Sequence, residues 1–559
     1  VSEKSQEAES QNGLGISVKL RLAILAGMAP LLSVVLTSSS GRDDAFITYE
    51  AARNLAAYGQ LLNINGDKLE QSSSLLQVLI LATGSFVTHI SLPWLGWASS
   101  LIGAYFLALF VGCIAERLRT GSGWIATLLC VGATPLLYWA SSGLETTIAA
   151  AILAAVVLVS LDVVGVRLRS HRRVAVLLGL VALMAMIRPE GALVLISGFL
   201  ASAVAMRLGA RRFAADTRPA VRDLLLLAGV AALCLALLVV FRLAYFGVPF
   251  PQPVIAKTNL SVARIGDGLG YLRTSSDLSV AVVVLFACVG GWSLRRSQWM
   301  ALSMIVSFVL ASLGFVVLSG GDWMELGRFI CVPLALLSVL AGVGVRSLRL
   351  TSSSRFAGVT LAALVLVLFA GSAIVGLGTY SLGSPIWADV TWSDPQMQTA
   401  RGSWVETKNQ PHRRDIPAAE ALRSVIDALA AGGVRPVTVG SVQAGAVVFN
   451  GFPSEFGVAR FIDVRALTTD DFMACNPTPP RSTFGLDFDS SPWIKGTSIC
   501  GVEPPDVVLH FGAGQQPKPK DKYVITFRQG GVVGRGPLVG SAGTGQWIAV
   551  RKDLKHLVP

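Results

Sequence analysis

The apolar run from Leu20 to Leu36 leads into Arg42-Asp43-Asp44-Ala45-Phe46-Ile47-Thr48-Tyr49, and the reading of these two segments decides the fold. The run is long enough to cross a bilayer. Two adjacent carboxylates at the outer end of a span are expensive and mark function more often than decoration. The bland alternative is an acidic helix start favoured by the helix dipole. Read as a span followed by a site, the pair makes the rest of the chain a scaffold around a reaction at the membrane surface.

The composition agrees with a membrane scaffold. Of 559 residues, 53% are hydrophobic and only 14% charged. The mean hydropathy is +0.61. The net charge of +12 does not point to nucleic acid. Most basic residues sit in short clusters between apolar runs, the pattern of cytoplasmic loops. Val1 to Ser17 has neither an apolar run nor a small-residue cleavage site, so residues 1–19 read as a disordered cytoplasmic tail rather than a cleaved signal peptide.

The expected spans are Leu20–Leu36, Leu95–Ala115, Trp124–Trp139, Thr147–Val166, Val174–Ile187, Gly191–Met206, Leu224–Val240, Leu278–Leu294, Met300–Leu318, Phe329–Val345 and Phe356–Leu377, about eleven in all. Leu75 to Ile90 decides the topology. If it crossed, the clusters Arg167–Arg173, Arg207–Arg222, Arg295-Arg296 and Arg346–Arg355 would all lie outside. The positive-inside rule therefore lays it along the outer interface, as a juxtamembrane helix within the first external loop, 38–94. The external loops then collect Asp43 and Asp44; Glu145; the turn Arg188-Pro189-Glu190-Gly191; Pro251 to Lys257; and Gly320-Gly321-Asp322-Trp323 to Arg328.

The transmembrane domain is thus expected over 20–380, followed by an external soluble domain over 381–559. The latter has Gly-rich turns, an amphipathic helix at Ala418–Ala431 and short alternating segments such as Val437–Gly440, Asp506–His510 and Trp547–Val550, an α/β or α+β pattern. Cys475 and Cys500 lie in this domain and can form a disulfide if it faces an oxidising compartment.

An active site facing outward has neither ATP nor nucleotide sugars, so an energised donor must arrive on a lipid, and a polyprenyl phosphate sugar fits. Catalysis then needs a carboxylate to take the proton of the attacking hydroxyl, cations on the departing phosphate, and an apolar groove for the prenyl chain. Asp43 and Asp44 can supply the base, with Glu145 as a supporting acid. Arg188, with Glu190 as its partner, and Lys257 and Arg328 can supply the clamp, with Asp322 and Trp323 in the same loop as Arg328. Each has a plainer reading: Glu145 as an early-turn acid, Arg188 as a snorkelling side chain, Lys257 as a loop lysine, Asp322 and Arg328 as a pair across a turn, Trp323 as an interface anchor. Spacing gives no metal signature, although two carboxylates and a phosphate can hold a divalent cation through oxygens. Trp392, Trp404 and Trp493 are candidates for sugar stacking, with the core as their plainer place.

These motifs, in order, resemble the bacterial GT-C glycosyltransferases, most of all the mycobacterial and corynebacterial arabinofuranosyltransferases of the AftB group. The matching residues are Asp43 to Tyr49 with Ala52–Ala56 and Gly59–Asn63, then Ser142–Thr146, Arg188–Gly191, Pro251–Lys257, Gly321–Met324 with Arg328-Phe329, Ser441–Ala446 and Phe461–Thr468. Glu70-Gln71-Ser72-Ser73-Ser74 stands where the group has a Glu-Gly-Tyr-Thr-Ser-like segment, so the aromatic is missing. The family's usual Asp is absent from Ser441–Ala446, and the second and third positions of its Pro-Asn-Thr motif are altered here to Gln252-Pro253. The resemblance implies a GT-C fold, sugar transfer from a polyprenyl phosphate on the periplasmic side of the plasma membrane, and catalysis by a first-loop aspartate. For the AftB group it implies decaprenyl-phospho-arabinofuranose as donor and the arabinan of arabinogalactan or lipoarabinomannan as acceptor. The rivals are transfer of another sugar, such as mannose, to glycan or protein; a lipid-linked-glycan ligase or polymerase; and a lipid-linked-glycan transporter or flippase, which would instead place charges near the midplane.

Overall fold

The computed structural model describes residues 16–37, 43–165, 170–213, 215–257, 262–322, 324, 326–351, 416–441, 444–472, 491–510, 521–529 and 546–558. Among these, seven helices are long and apolar enough to span: Ser17–Val34, Leu92–Leu118, Thr146–Val163, Gly191–Phe213, Arg218–Phe246, Trp299–Ser319 and Arg328–Leu348. An eighth arises if Val262–Thr274 and Leu278–Leu294, bent by 95° at their junction, act together.

The count differs from the sequence expectation for local reasons. Trp124–Trp139 is not one helix. It breaks at the extended Ala133 into Gly123–Gly132 and Thr134–Trp139, because Pro135 has no N–H to give the carbonyl four residues earlier and its ring would clash there, whereas the first turn of a new helix tolerates it. The fifth expected span is the 17-residue helix His171–Ile187. Phe356–Leu377 lies outside the described residues. Leu75–Thr88 is a 14-residue helix, too short to cross a bilayer upright.

The two ends of the helical domain carry different polar structures. At one end Arg117 pairs with Asp162, and Glu116 accepts from the backbone N–H groups of Gly121 and Gly123. At the other end stand the acidic pair, Glu145, Arg188, Lys257 and Arg328. Apolar side chains exposed along the helices, such as Leu226, Leu233, Leu237 and Leu310, suit contact with lipid.

The C-terminal domain is built on a five-stranded mixed sheet of order β2-β1-β3-β5-β4, with β1 Val437–Ser441, β2 Ala459–Asp463, β3 Val507–His510, β4 Tyr523–Gln529 and β5 Gln546–Arg551. β1 pairs in parallel with β2 and β3, and β5 lies antiparallel to β3 and β4. On one face, the Ile416–Ala431 helix buries Ala418, Ala419, Leu422, Val425, Ile426 and Leu429, spaced to fall on one side of a helix. On the other face Trp493 and Trp547 are fully buried.

Each domain inserts an apolar residue into the other's core. Ile64, from the segment between the Ala45–Tyr58 and Leu75–Thr88 helices, belongs to the sheet-domain core, and Ala446, from the sheet domain, belongs to the helical core. The loops after the carboxyl ends of β1 and β2 make the junction, the edge at which open α/β sheets place their binding crevices. Asn65 exchanges two hydrogen bonds with the backbone of Phe461, and Asn63 donates to Thr468 O at 3.2 Å. Arg53 donates to Phe449 O at 2.9 Å and lies over its ring.

Candidate active site

The two aspartates, adjacent in sequence, part ways in space. Asp43 Oδ1 accepts from the backbone N–H of Ala446 at 2.8 Å. Gly445 packs so closely that a Cβ there would collide with the Asp43 carboxylate. Asp43 is thus a docking group between domains. Asp44 occupies the residue before the Ala45–Tyr58 helix, but its side chain makes no capping hydrogen bond. Capping therefore does not account for it, and the helix dipole remains its only link to the helix start. Its half-buried carboxylate lies within Coulombic range of Lys257, Arg328, Asp322 and Arg465. Loss of solvation raises its pKa above the ordinary carboxylate value, against the pull of Lys257, Arg328 and Arg465.

Glu145 stands before the Thr146–Val163 helix and likewise makes no cap. Its Oε1 accepts from Arg188 Nη1 at 2.7 Å, and Arg188 Nε pairs with Glu190. Arg188 sits where the His171–Ile187 helix ends at Pro189, so its side chain is aimed by a chain reversal. Both partners of Arg188 outweigh the burial that opposes its charge. The guanidinium lies 4.9 Å from the ring centroid of Phe329, and that of Arg328 lies 5.1 Å from the same ring.

Arg328 belongs to a loop that reverses through Gly320 and Gly321, both at a φ of +80°, a backbone that side chains disfavour. Trp139 Nε1 donates to Leu326 O, and Tyr271 Oη accepts from Phe329 N, so the loop is held from two sides. Arg328 Nε lies 2.6 Å from Asp322 Oδ2, an ion pair whose N–H is not aligned on the oxygen.

Lys257 ends the short Gln252–Lys257 helix. Burial lowers its pKa below the ordinary lysine value, while Asp322 and Asp44 act the other way. Among the described residues it forms no ion pair. Gln252, at the start of this helix, donates to Ala466 O at 3.1 Å and Thr469 O at 3.3 Å in the sheet domain. The structure therefore gathers Asp44, Lys257, Asp322 and Arg328, sets Glu145, Arg188 and Glu190 beside them, and assigns Asp43 to the domain junction.

Arg465, which the sequence reading leaves without a role, joins this group from the loop after β2. The available signal was its place in Phe461–Thr468, but only the docking of the domain brings it near Asp44. Trp323, Trp392, Trp404 and Cys475 lie outside the described residues. Cys500 is disulfide-bonded. Trp493 is fully buried and donates to Val502 O, so it belongs to the core and offers no face for stacking. Among the described residues no cluster of three or more His, Cys, Asp or Glu side chains stands together. Asp44 and Asp322 are interleaved with cations, a set that suits an anionic ligand.

The segment from Glu70 to Ser74 ties the first loop together. Glu70 forms a buried two-point pair with Arg242, at 2.7 and 3.1 Å. Gln71 accepts from Ile64 N and donates to Ile47 O, which ties the first loop to the helix that Asp44 precedes.

No protein-family model and no curated protein matches the sequence. Among solved structures, ArnT from Cupriavidus metallidurans bound to undecaprenyl phosphate matches with a TM-score of 0.54 at 12% identity, over 97% of this chain and 99% of that one. The same protein in its apo state matches with a TM-score of 0.46 at 12% identity, over 88% and 92% of the two chains. AglB, the oligosaccharyltransferase of Archaeoglobus fulgidus, in complex with an inhibitory peptide and a dolichol-phosphate, matches with a TM-score of 0.44 at 14% identity, over 73% and 58%. The first of these spans both chains almost end to end, and the likeness is one of fold: the chain is a polytopic α-helical membrane protein of the GT-C fold with a small C-terminal sheet domain.

Proposed function

We propose that this chain is a membrane glycosyltransferase that moves a sugar, D-arabinofuranose, from a polyprenyl phosphate donor to the arabinan of a cell-wall glycan outside the plasma membrane. The observation that carries the reading is Asp44: an uncapped carboxylate of raised pKa, next to Lys257 and Arg328, at the polar end of an apolar helical domain. The GT-C fold supports the reading, because ArnT, which shares it, was solved with undecaprenyl phosphate. The arabinosyl assignment is supported by the ordered motifs from Asp43 to Thr468. The disulfide at Cys500 suits an oxidising, external compartment.

In the proposed reaction, Asp44 takes the proton from an acceptor hydroxyl as its oxygen attacks the anomeric carbon. The bond between that carbon and the phosphate oxygen breaks, and its electron pair leaves with the polyprenyl phosphate. Lys257 and Arg328 stabilise the charge that grows there, and Asp322 orients Arg328. Arg188, held by Glu145 and Glu190, sets the shape of the neighbouring wall. The external domain helps hold the acceptor glycan.

The test is transfer from synthetic polyprenyl-phospho-arabinose to a short arabinan by purified protein, comparing wild type with Asp44→Asn and Asp43→Asn. Transfer lost in Asp44→Asn, with donor binding retained, supports the reading. Transfer from a mannosyl donor alone overturns the sugar, and full activity of Asp44→Asn overturns the mechanism.

A further inference from the structure

We propose that Arg465 is a phosphate-contacting residue of the site, so that the external domain supplies part of the donor clamp as well as a platform for the acceptor. This rests on the glycosyltransferase reading above.

The loop after β2 is built to present this side chain. Asp463 ends the strand and accepts from the backbone N–H groups of Arg465, Leu467 and Thr468, and from the Thr468 hydroxyl. A carboxylate that gathers four donors fixes the path of the chain around it. Asp463 is fully buried, and Arg465 is only 9% exposed. A surface-coating arginine would not be enclosed to that degree.

The helical domain grips the same loop from the other side. Gln252 donates to Ala466 O and Thr469 O, and Asn63 donates to Thr468 O. Gln252 and Lys257 lie on one short helix, so the bond that holds the Arg465 loop also fixes its distance from Lys257. Arg465 and Lys257 repel one another, and each lies within Coulombic range of Asp44. The group holds three cations, Lys257, Arg328 and Arg465, against two carboxylates, Asp44 and Asp322, so it favours an added anion. A phosphate monoester supplies that anion, and a guanidinium matches its oxygens two at a time.

The experiment measures binding of undecaprenyl phosphate to the full chain in nanodiscs of neutral phosphatidylcholine. It compares wild type with Arg465→Gln, Lys257→Gln and Arg460→Gln, the last an exposed arginine of the same domain paired with Asp471. Binding is expected to weaken about tenfold or more in Arg465→Gln and Lys257→Gln, as for loss of a charged hydrogen bond, and to stay unchanged in Arg460→Gln. The donor KM should rise in parallel, with the melting temperature of Arg465→Gln unchanged. Wild-type affinity in Arg465→Gln, with Lys257→Gln weakened, overturns the role of Arg465 and leaves the enzyme reading standing. No binding and no transfer by wild type removes the enzyme reading itself. Equal competition by phosphatidylglycerol would make the cations a general lipid-headgroup site and overturn the proposal. If Arg465→Gln does not fold, Arg465→Met, which keeps the apolar stem, replaces it. Failure of both to fold would make Arg465 an architectural ion and overturn the proposal.

Discussion

Arg188 and Lys257 are cations at the same end of the helical domain, and their surroundings differ. Arg188 is enclosed by two carboxylates, Glu145 and Glu190. Lys257 has no ion pair among the described residues, and the Coulombic neighbours that resist its charge include Arg328 and Arg465. A saturated arginine has little to offer an incoming anion; it is a fixed post. A half-buried lysine with no ion pair among the described residues gains from one. The comparison separates wall from clamp among residues that look alike in sequence, and mutation can break or sharpen it.

The largest effect is expected at the carboxylate that serves the clamp side. Asp44→Asn should lower transfer about 10²–10⁴-fold, the usual range for a general base. Stability should move the other way. Burial raises the folded-state pKa of Asp44, so the native state keeps its proton at pH values where the unfolded chain has lost it. Stability from this group is therefore full below the ordinary carboxylate pKa and is lost as pH rises through the raised one. Asp44→Asn should melt no lower than wild type at neutral pH, and a clear drop in melting temperature would make Asp44 structural.

On the wall side the loss should be in the fold. Arg188→Met leaves two carboxylates unpaired in a buried place, a loss of about 3–5 kcal/mol when one partner of a buried pair is removed. Denaturation in detergent checks it, and a stable variant that only weakens donor binding would move Arg188 into the clamp. Lys257→Met should do the reverse: a melting temperature equal to wild type or higher, and a donor KM raised about tenfold, as for one charged hydrogen bond.

Acidity should report on the same side. Transfer needs Asp44 ionised, so kcat/KM should climb as pH rises through a value above the ordinary carboxylate range, and this limb should vanish in Asp44→Asn. The smallest effect is expected at Asp43. Asp43→Asn keeps an acceptor for Ala446 N and should cost about 1 kcal/mol or less. A loss of activity as large as that of Asp44→Asn would exchange the roles of the two.

The site was legible in part. The acidic pair, the Arg188 turn, the Gly320-Gly321 loop and Lys257 are local signals: each sets charge or unusual backbone chemistry beside an apolar run. The division of labour within the pair was not legible, because it rests on Asp43 meeting Ala446 across 403 residues of sequence. Arg465 was hidden for the same reason. Its own segment is that of a strand followed by a turn, and nothing in it names Lys257 as a neighbour. The break at Ala133 was available in principle from Pro135, but hydropathy alone runs through it.

What the sequence by itself determined is the solvent each segment prefers. Apolar length sets the spans, the placing of arginine and lysine sets the expected sidedness, and alternation sets the strands of the C-terminal domain. These follow from transfer energies and backbone periodicity, which need no partner. Which charges meet was decided only by tertiary structure. Docking of the segments after β1 and β2 on the stretch from Asp43 to Asn65 put Asp43 in a joint and brought Arg465 within Coulombic range of Lys257. Electrostatic interaction falls with distance and is strengthened by burial, so a residue's role there depends on neighbours that chain order does not supply.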